Sequence, residues 1–305
     1  MSSHAELVLD ARNTTGESPV WHHGEQALYW VDIPKRKLCK WDVANHKASS
    51  WTAPEMLACI ALCAGGKGWL AGMESGIFSL VTQADGSLAC TPEVGVEHAL
   101  PGMRFNDGRC DRQGRFLAGT MLMDMAAGAR VGCVYSYQNN SFGSVRKDKN
   151  LTKLLDGFVT PNGMAFSPDG KTLYLSDSHP SVQLIWAFDY DTVTGQPSRR
   201  RVFVDMNLFP GRPDGAAVDA EGCYWICAND AGLIHRFTPE GRLDRSLAVP
   251  VKKPAMCAFG GAALDTLFVT SIRPTGIDLS DQPLAGGLFA LHPGVTGLAE
   301  PLFSS

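Results

Sequence analysis

Four oxygen-bearing side chains stand at matching places in a repeated pattern of this 305-residue chain, and together they could bind a metal ion. Glu17, Asn106, Asn162 and Asp214 each precede a short apolar run by ten to twelve residues. Carboxylate and amide oxygens are ligands that hard divalent cations such as Ca²⁺, Mg²⁺ and Mn²⁺ prefer. Zn²⁺ or Fe²⁺ would also fit, but a set without His or Cys would not select them strongly. The pattern predicts an all-oxygen site for one divalent ion.

The short motifs around these residues also resemble ordinary turns, because Asn-Asp-Gly, Pro-Asn-Gly and Pro-Asp-Gly are common turn sequences. The chain contains its own control. Pro168-Asp169-Gly170 stands directly before an apolar run, where a hairpin turn is expected, whereas Pro213-Asp214-Gly215 stands ten residues earlier in its unit. Glu17 precedes Ser-Pro and is not a typical turn residue. Since turn chemistry does not explain both positions equally well, the joint pattern favours a functional site.

The apolar runs themselves predict the elements that must position these side chains. Six runs, each preceded by a turn signal, begin 40 to 57 residues apart: Tyr29–Ile33, Trp69–Met73, Phe116–Thr120, Leu173–Asp177, Tyr224–Ala228 and Leu267–Ser271. A unit of this length with about four short strands is a propeller blade, and a large β-sandwich would not explain six copies. We therefore predict an all-β fold, a six-bladed β-propeller that forms a single domain over residues 1–305. Equivalent positions in such a ring converge on its axis, so the four side chains should meet at one mouth of the central channel.

A closed ring of blades also needs its two ends joined. The segments Glu6–Leu9 and Gly287–Leu291 are both strand-like in sequence. We expect them to share the last blade.

Composition narrows the classes of partner. Lys plus Arg number 27 and Asp plus Glu number 31, a net charge of -4 that argues against a nucleic-acid partner. The longest apolar run, Leu57–Ala64, is far shorter than the roughly 20 residues of a membrane span, and the N-terminus lacks a secretory pattern. The nine cysteines include no Cys-x-x-Cys pair, so reduced, packed thiols are expected. These features predict a cytoplasmic protein and leave the oligomeric state open.

With these motifs in place, the chain resembles the senescence marker protein, regucalcin and gluconolactonase family. The resemblance covers nearly the full chain and is carried by several motifs in order: Gly16–Trp21, Tyr29–Ile33, Arg104–Gly108, Ala118–Met121, Pro161–Gly170, Ala187–Asp191, Pro213–Gly215 and Cys257–Gly261. The segment Gln282–Phe289 also resembles the bacterial sugar-lactonase members. The resemblance implies a six-bladed propeller, as the repeat count does independently.

The resemblance also implies roles for individual residues. Matched motif by motif, the divalent metal is held by Glu17, Asn162 and Asp214. Arg104 and Asn106 match the family's substrate-binding pair, which moves Asn106 from the metal ligands to the substrate side. Asp124 matches a further acidic substrate contact, at a position where other members carry Glu.

These residues predict a metal-dependent hydrolase that opens a sugar lactone, an aldonolactone, to its aldonic acid. The metal, which could be Ca²⁺, Zn²⁺, Mn²⁺, Mg²⁺ or Fe²⁺, would polarise the lactone carbonyl and activate water. Asp214 is the candidate general base, although a carboxylate bound to a cation is a weak base and could instead orient the water. One alternative is a hydrolase of other esters or phosphotriesters on the same propeller. Another is a calcium-binding protein without turnover, against which the presence of Arg104 beside Asn106 argues.

Overall fold

The computed structural model describes residues 4–66, 68–140 and 148–304, which form 24 strands in six four-stranded antiparallel sheets. Two short 3-10 turns, Met125–Ala127 and Met206–Leu208, are the only helical elements in these ranges. Among the described residues, no helix has the length and apolar character required to span a bilayer. The predicted all-β, six-bladed propeller is confirmed.

Each of the first five blades is a meander of four strands in which neighbours in the chain are neighbours in the sheet. Blade one contains β2 (Gly16–His22), β3 (Ala27–Asp32), β4 (Lys37–Asp42) and β5 (Lys47–Thr52). Blade two contains β6 (Leu57–Leu62), β7 (Trp69–Met73), β8 (Gly76–Thr82) and β9 (Leu88–Gly95). Blade three contains β10 (Met103–Cys110), β11 (Phe116–Leu122), β12 (Gly132–Asn140) and β13 (Asp148–Phe158).

The remaining blades follow the same order. Blade four contains β14 (Pro161–Phe166), β15 (Thr172–Asp177), β16 (Leu184–Asp191) and β17 (Gln196–Asp205). Blade five contains β18 (Arg212–Val218), β19 (Tyr224–Asn229), β20 (Leu233–Phe237) and β21 (Leu243–Ala248). Blade six contains β22 (Pro254–Gly260), β23 (Thr266–Ser271), β24 (Leu288–Leu291) and, as its outermost strand, β1 (Glu6–Leu9).

The first and last strands of the chain pair in blade six, as the sequence predicts. Strand β1 pairs antiparallel with β24, with Glu6 opposite Ala290 and Leu9 opposite Leu288. The N-terminal strand thus completes the sheet that the last three strands of the chain begin, and the ring is closed by hydrogen bonds.

The first strand of every blade belongs to the inner ring, because the first strands of neighbouring blades pack against one another all the way round. These inner strands are almost wholly buried, whereas outer strands such as β5 and β21 alternate exposed and partly buried residues. The six apolar runs of the sequence lie on the second strands, which are buried between neighbouring blades. Burial of these runs therefore holds the inner strands in place.

All six inner strands carry an irregularity at the same level of the ring. The pairing register shifts after Glu17, Leu57, Phe105, Asn162, Pro213 and Pro254. A β-bulge re-aims the side chains beside it and is common next to active sites. Four of these six bulges coincide with the oxygen-bearing residues of the repeated pattern.

Candidate active site

The two predicted asparagines are brought into direct contact across the boundary between blades three and four. Asn106 Nδ2 donates to Asn162 Oδ1 at 3.0 Å and to the Pro161 carbonyl at 3.1 Å. Arg104 Nη1 donates to Asn106 Oδ1 at 2.9 Å and to the Phe105 carbonyl at 2.7 Å. Among the described residues, Arg104 Nε and Nη2 have no hydrogen-bond partner. Arg104 therefore positions Asn106 with one nitrogen and keeps two donors for a ligand.

The orientation of the Asn162 amide is determined by a serine that the sequence analysis did not select. Asn162 Nδ2 donates to Ser178 Oγ at 2.6 Å, and Ser178 Oγ donates to the Pro213 carbonyl at 2.5 Å. Because an amide donates only from nitrogen, this contact directs Asn162 Oδ1 away from Ser178 and toward Asn106. The carbonyl oxygen, which is the atom a cation would bind, is thus held on the Asn106 side.

Asp214 is held in a similar way by a residue of its own blade. Asn229 Nδ2 donates to Asp214 Oδ2 at 2.6 Å, and Asn229 is only 3% exposed. At its other end, Asn229 Oδ1 accepts a 3.4 Å hydrogen bond from Lys253 Nζ. One carboxylate oxygen of Asp214 is therefore occupied by Asn229, and Oδ1 is the oxygen left for a ligand.

Ser178 and Asn229 were missed by the sequence analysis, although a signal for them exists. Each is the first residue after its apolar run, Leu173–Asp177 in blade four and Tyr224–Ala228 in blade five. The two positions are equivalent in the repeat and carry polar residues in the two blades that supply Asn162 and Asp214. A repeat alignment extended by one residue would have identified both.

The carboxylates of the site lie close enough to influence one another. Burial raises the pKa of Glu17 well above its ordinary value, and the charges of Asp214 and Asp107 raise it further. Burial, reinforced by Asp107, raises the pKa of Asp214 to about 7 against the opposing hydrogen bond from Asn229. Asp107 Oδ2 accepts from the Met164 amide at 2.8 Å, whereas its buried Oδ1 has no partner among the described residues. The inner ring thus concentrates negative charge around Glu17 and Asp214.

Arg104 and Asp124 differ in their relation to this centre. Burial lowers the pKa of Arg104, and the charge of Glu17 opposes that effect, so the guanidinium lies within the field of the carboxylates. Asp124 is exposed at the start of the 3-10 turn Met125–Ala127, and its side chain makes no capping hydrogen bond there. No hydrogen bond or ion pair joins Asp124 to the other predicted residues in the described part of the chain. The loop that carries it is tied to blade four by His179, whose Nε2 lies 3.0 Å from the Met125 carbonyl.

The chemistry of these donors fits a hard divalent cation. Two electrostatically coupled carboxylates, the half-buried Glu17 and the buried Asp214, carry negative charge that a cation would neutralise, and the Asn162 carbonyl is oriented by Ser178. Within the described ranges, no group of three or more His, Cys, Asp or Glu side chains could hold a metal. An ion at this place would therefore depend on the amide oxygen of Asn162, as the mixed set predicted from the sequence requires.

The fold and site together define a class: a six-bladed propeller with an oxygen-only constellation at one end of its inner ring. The family model described as the SMP-30/gluconolactonase/LRE-like region matches residues 15–273. The chain belongs to this family, which confirms the resemblance seen in the motifs.

Similar proteins cover the whole chain. A 6-deoxy-6-sulfogluconolactonase of Pseudomonas putida is 36% identical over 100% of both chains, and the regucalcin of Xenopus laevis is 34% identical over 98% of each. Among solved structures, a calcium-binding protein, regucalcin, from Agrobacterium tumefaciens superposes with a TM-score of 0.88 at 29% identity. That match covers 97% of this chain and 96% of the other.

Proposed function

We propose that this protein is a metal-dependent lactonase that hydrolyses a sugar lactone to its aldonic acid. The observation that carries the proposal is the hydrogen-bonded network of Arg104, Asn106 and Asn162 near the electrostatically coupled carboxylates of Glu17 and Asp214. A site that only binds a structural cation does not require an arginine nearby. Arg104 has two nitrogens, Nε and Nη2, without hydrogen-bond partners among the described residues, and these could bind a substrate. The relative from Pseudomonas putida named for lactonase activity and the regucalcins, one of them a calcium-binding protein, support this class of chemistry.

Glu17, Asn162 and Asp214 are the residues that would hold the divalent cation. When bound, the ion would supply a Lewis acid for the lactone carbonyl and a lowered pKa for a coordinated water. The identity of the ion among Ca²⁺, Zn²⁺, Mn²⁺, Mg²⁺ and Fe²⁺ is part of the experiment below.

The protein's own groups account for the proton and charge movements of the reaction. Asp214 takes a proton from the water whose oxygen attacks the carbonyl carbon, with Asn229 holding the other carboxylate oxygen in place. Arg104 Nε and Nη2 donate toward the negative charge that develops on the carbonyl oxygen. Cleavage of the bond between the former carbonyl carbon and the ring oxygen then opens the lactone, and the departing alkoxide oxygen takes the proton from Asp214, which regenerates the carboxylate. Asn106 and Asp124 would hold sugar hydroxyls.

The proposal is tested by a panel of substrates with and without a chelator. Hydrolysis of glucono-1,5-lactone, of a plain aliphatic lactone and of a phosphotriester is measured by acid release, corrected for the spontaneous rate. We expect the hydroxylated lactone to be the best substrate, because a polar site loses binding when hydrogen-bond partners are missing. Removal of divalent ions should abolish turnover, and adding back one of the five should restore it.

Two results would contradict this assignment. Full activity after verified metal removal would exclude the role given to Glu17, Asn162 and Asp214. A preference for the phosphotriester or the plain lactone would replace the sugar-lactonase assignment with a hydrolase of other esters, and binding of Ca²⁺ without turnover of any substrate would indicate a calcium-binding protein.

A further inference from the structure

Two cationic side chains from neighbouring blades share one carboxylate beside the candidate site. Arg212 Nε forms an ion pair with Asp230 Oδ2 at 2.6 Å, and Lys253 Nζ pairs with Asp230 Oδ1. Although burial alone would raise it, these two hydrogen bonds hold the pKa of Asp230 below its ordinary value. Two positive charges on one negative charge leave a surplus positive charge in this cluster.

The cluster of Arg212, Asp230 and Lys253 lies at the same end of the inner ring as the candidate site. Lys253 reaches Asp214 through Asn229, whose amide links the two by hydrogen bonds of 3.4 and 2.6 Å. With the amide's own dimensions, Lys253 Nζ lies at most about 8 Å from Asp214 Oδ2. Arg212 Nη1 donates to the Ser178 carbonyl at 3.2 Å, so Arg212 also borders the residue that orients Asn162.

Asp230 lies in the turn between β19 and β20, and its backbone conformation fits that position. Asp230 has a φ of 76°, in the left-handed region where Asp and Asn are enriched among residues other than Gly, as is common in turns. This turn places the Asp230 carboxylate between the side chains of Arg212 and Lys253.

Both cations retain the capacity to bind a ligand. The Arg212 and Lys253 side chains are 22% and 26% exposed, so both are partly accessible to a ligand from solvent. Arg212 uses Nε and Nη1 within the protein, and Nη2 has no partner among the described residues. An unpaired guanidinium nitrogen and a partly exposed ammonium group therefore lie on the same carboxylate, that of Asp230.

We propose that Arg212 and Lys253 form a subsite for an anionic substituent on the sugar lactone, a sulfonate or phosphate on the carbon farthest from the lactone carbonyl. The inference rests on the lactonase function proposed above and specifies the substrate class for that site. In a six-membered lactone, an anionic group on the exocyclic carbon lies roughly 5 Å from the carbonyl carbon, which is within the upper limit of about 8 Å between Asp214 Oδ2 and Lys253 Nζ. Charge-assisted hydrogen bonds from Arg and Lys to such oxyanions are among the strongest that a protein makes.

The test compares a neutral and two anionic substrates on the metal-loaded enzyme. Glucono-1,5-lactone, its 6-phosphate and its 6-deoxy-6-sulfo analogue are hydrolysed by the wild type, Arg212→Met, Lys253→Met and Lys252→Met. We expect the wild type to favour an anionic lactone, through a lower KM. Arg212→Met and Lys253→Met should each reduce the anionic-to-neutral ratio of kcat/KM by about tenfold. High salt should weaken the preference in the wild type.

Lys252→Met is the matched control, because Lys252 is adjacent in sequence and pairs with Asp281 instead of Asp230. It should leave the ratio unchanged. A wild type that prefers the neutral lactone, or a ratio that stays constant in Arg212→Met and Lys253→Met, would overturn the subsite.

Binding measurements separate failure of the subsite from failure of the lactonase assignment. Calorimetric titration with 6-phosphogluconate and with gluconate requires no turnover. If no lactone is hydrolysed, the lactonase proposal fails, but tighter binding of 6-phosphogluconate that is lost in Lys253→Met and retained in Lys252→Met still supports the subsite. Equal binding of the two acids in the wild type would overturn it.

Discussion

Asn162 and Asp214 are each held by the residue that follows the apolar run of their own blade. Ser178 accepts from the Asn162 amide, and Asn229 donates to the Asp214 carboxylate, both at 2.6 Å. Ser178 pairs with Asn162 Nδ2 and Asn229 pairs with Asp214 Oδ2, so Asn162 Oδ1 and Asp214 Oδ1 remain for a ligand. A binding site needs its coordinating atoms held in position before the ligand binds, and these two hydrogen bonds hold them there.

The first residue-scale prediction concerns Asp214→Asn, which keeps the size of the side chain and can still accept from Asn229 but cannot take a proton. We expect kcat to fall by at least about 10²-fold, the lower range for loss of a general base. The measurement is kcat for a hydroxylated lactone, together with circular dichroism to establish that the fold is retained.

Asp169→Asn is the control for that change, because Asp169 occupies the same Pro-Asp-Gly tripeptide in the hairpin frame. Its carboxylate accepts from Ser167 Oγ and the Lys171 amide, within the turn before β15. Its effect on kcat should be small. Equal losses from the two substitutions would show that the position within the repeat has no bearing on the reaction.

A second prediction follows from the titration of Asp214 in metal-free protein. Its pKa of about 7 in the fold exceeds the roughly 3.9 of an unfolded Asp, so the folded state binds this proton more tightly. The stability it contributes is present below about pH 4 and is lost as pH rises through about 7. The Asp214→Asn variant lacks this titrating group. Its free energy of unfolding relative to that of the wild type should therefore increase as the pH rises from about 4 to about 7.

This pH dependence is measured by urea unfolding in chelator at several pH values between 4 and 8. An excess of the divalent ion should remove much of the difference at neutral pH, because the ion binds only the folded wild type strongly. A stability difference that does not vary with pH would contradict the raised pKa.

At the scale of elements, the inner strands combine a bulge with close packing between blades. Gly215 follows Asp214 in the bulge of β18, where an added Cβ would lie 2.3 Å from Met256 Cβ and 2.7 Å from Met256 Cα on β22. The backbone of blade five thus approaches blade six more closely than any side chain would permit. Other bulges use the corresponding space for hydrogen bonds, as Ser18 Oγ accepts from the Ile60 amide of blade two at 2.9 Å.

Gly215→Ala should therefore separate β18 from β22 and displace Asp214 from its ligand position. We expect a loss of stability of about 1–3 kcal/mol, the usual range for overpacking, and weaker metal binding. Thermal unfolding and calorimetric metal titration measure the two effects.

Gly95→Ala serves as the comparison on the outer strand β9, where the nearest atom to an added Cβ is the Ser75 carbonyl oxygen at 3.8 Å. It should alter neither stability nor metal binding appreciably. If Gly215→Ala binds metal as the wild type does, the close approach of the two strands is not what positions Asp214.

At the scale of the whole molecule, the C-terminal segment after β24 crosses the end of the ring opposite the site. Gly297 donates from its amide to the Leu264 carbonyl, and Glu300 pairs with Arg109 at 3.4 Å. Phe303 then joins blade two, with backbone hydrogen bonds of 2.8 Å to Leu62 and Ala64. The segment links blades far apart in the ring, in addition to the closure by β1.

Phe303 anchors this segment, since it is 4% exposed and its ring stacks on Tyr137 with centroids 5.6 Å apart. Phe303→Ala should lower the free energy of unfolding by about 3–5 kcal/mol, the usual cost of truncating a buried Phe. Chemical unfolding at neutral pH measures the change.

Leu302→Ala is the neighbouring control, because Leu302 is 43% exposed and should contribute little. Similar losses from both substitutions would show that the segment contributes only general surface packing. The anchoring of the segment would then have no role in closing the ring.

The repeat made much of this molecule predictable from sequence alone. The repeat is visible in local sequence patterns: alternating apolar residues, turn residues and apolar runs. These patterns predicted the six blades and the last blade shared by the first and last strands. The oxygen-bearing residues at equivalent positions could be selected for the same reason, since a repeated position in a ring has a repeated place relative to the axis.

The tertiary structure alone decided which side chains hold those residues and which charges surround them. Ser178, Asn229 and the cluster of Arg212, Asp230 and Lys253 act across strands and blades, and Asp230 and Lys253 are 23 residues apart in the chain. Such contacts depend on the bulges and on how closely neighbouring blades pack, as at Gly215. They also depend on the rotamers that buried side chains adopt. No local pattern encodes those distances, because they arise only when six separate sheets pack around one axis.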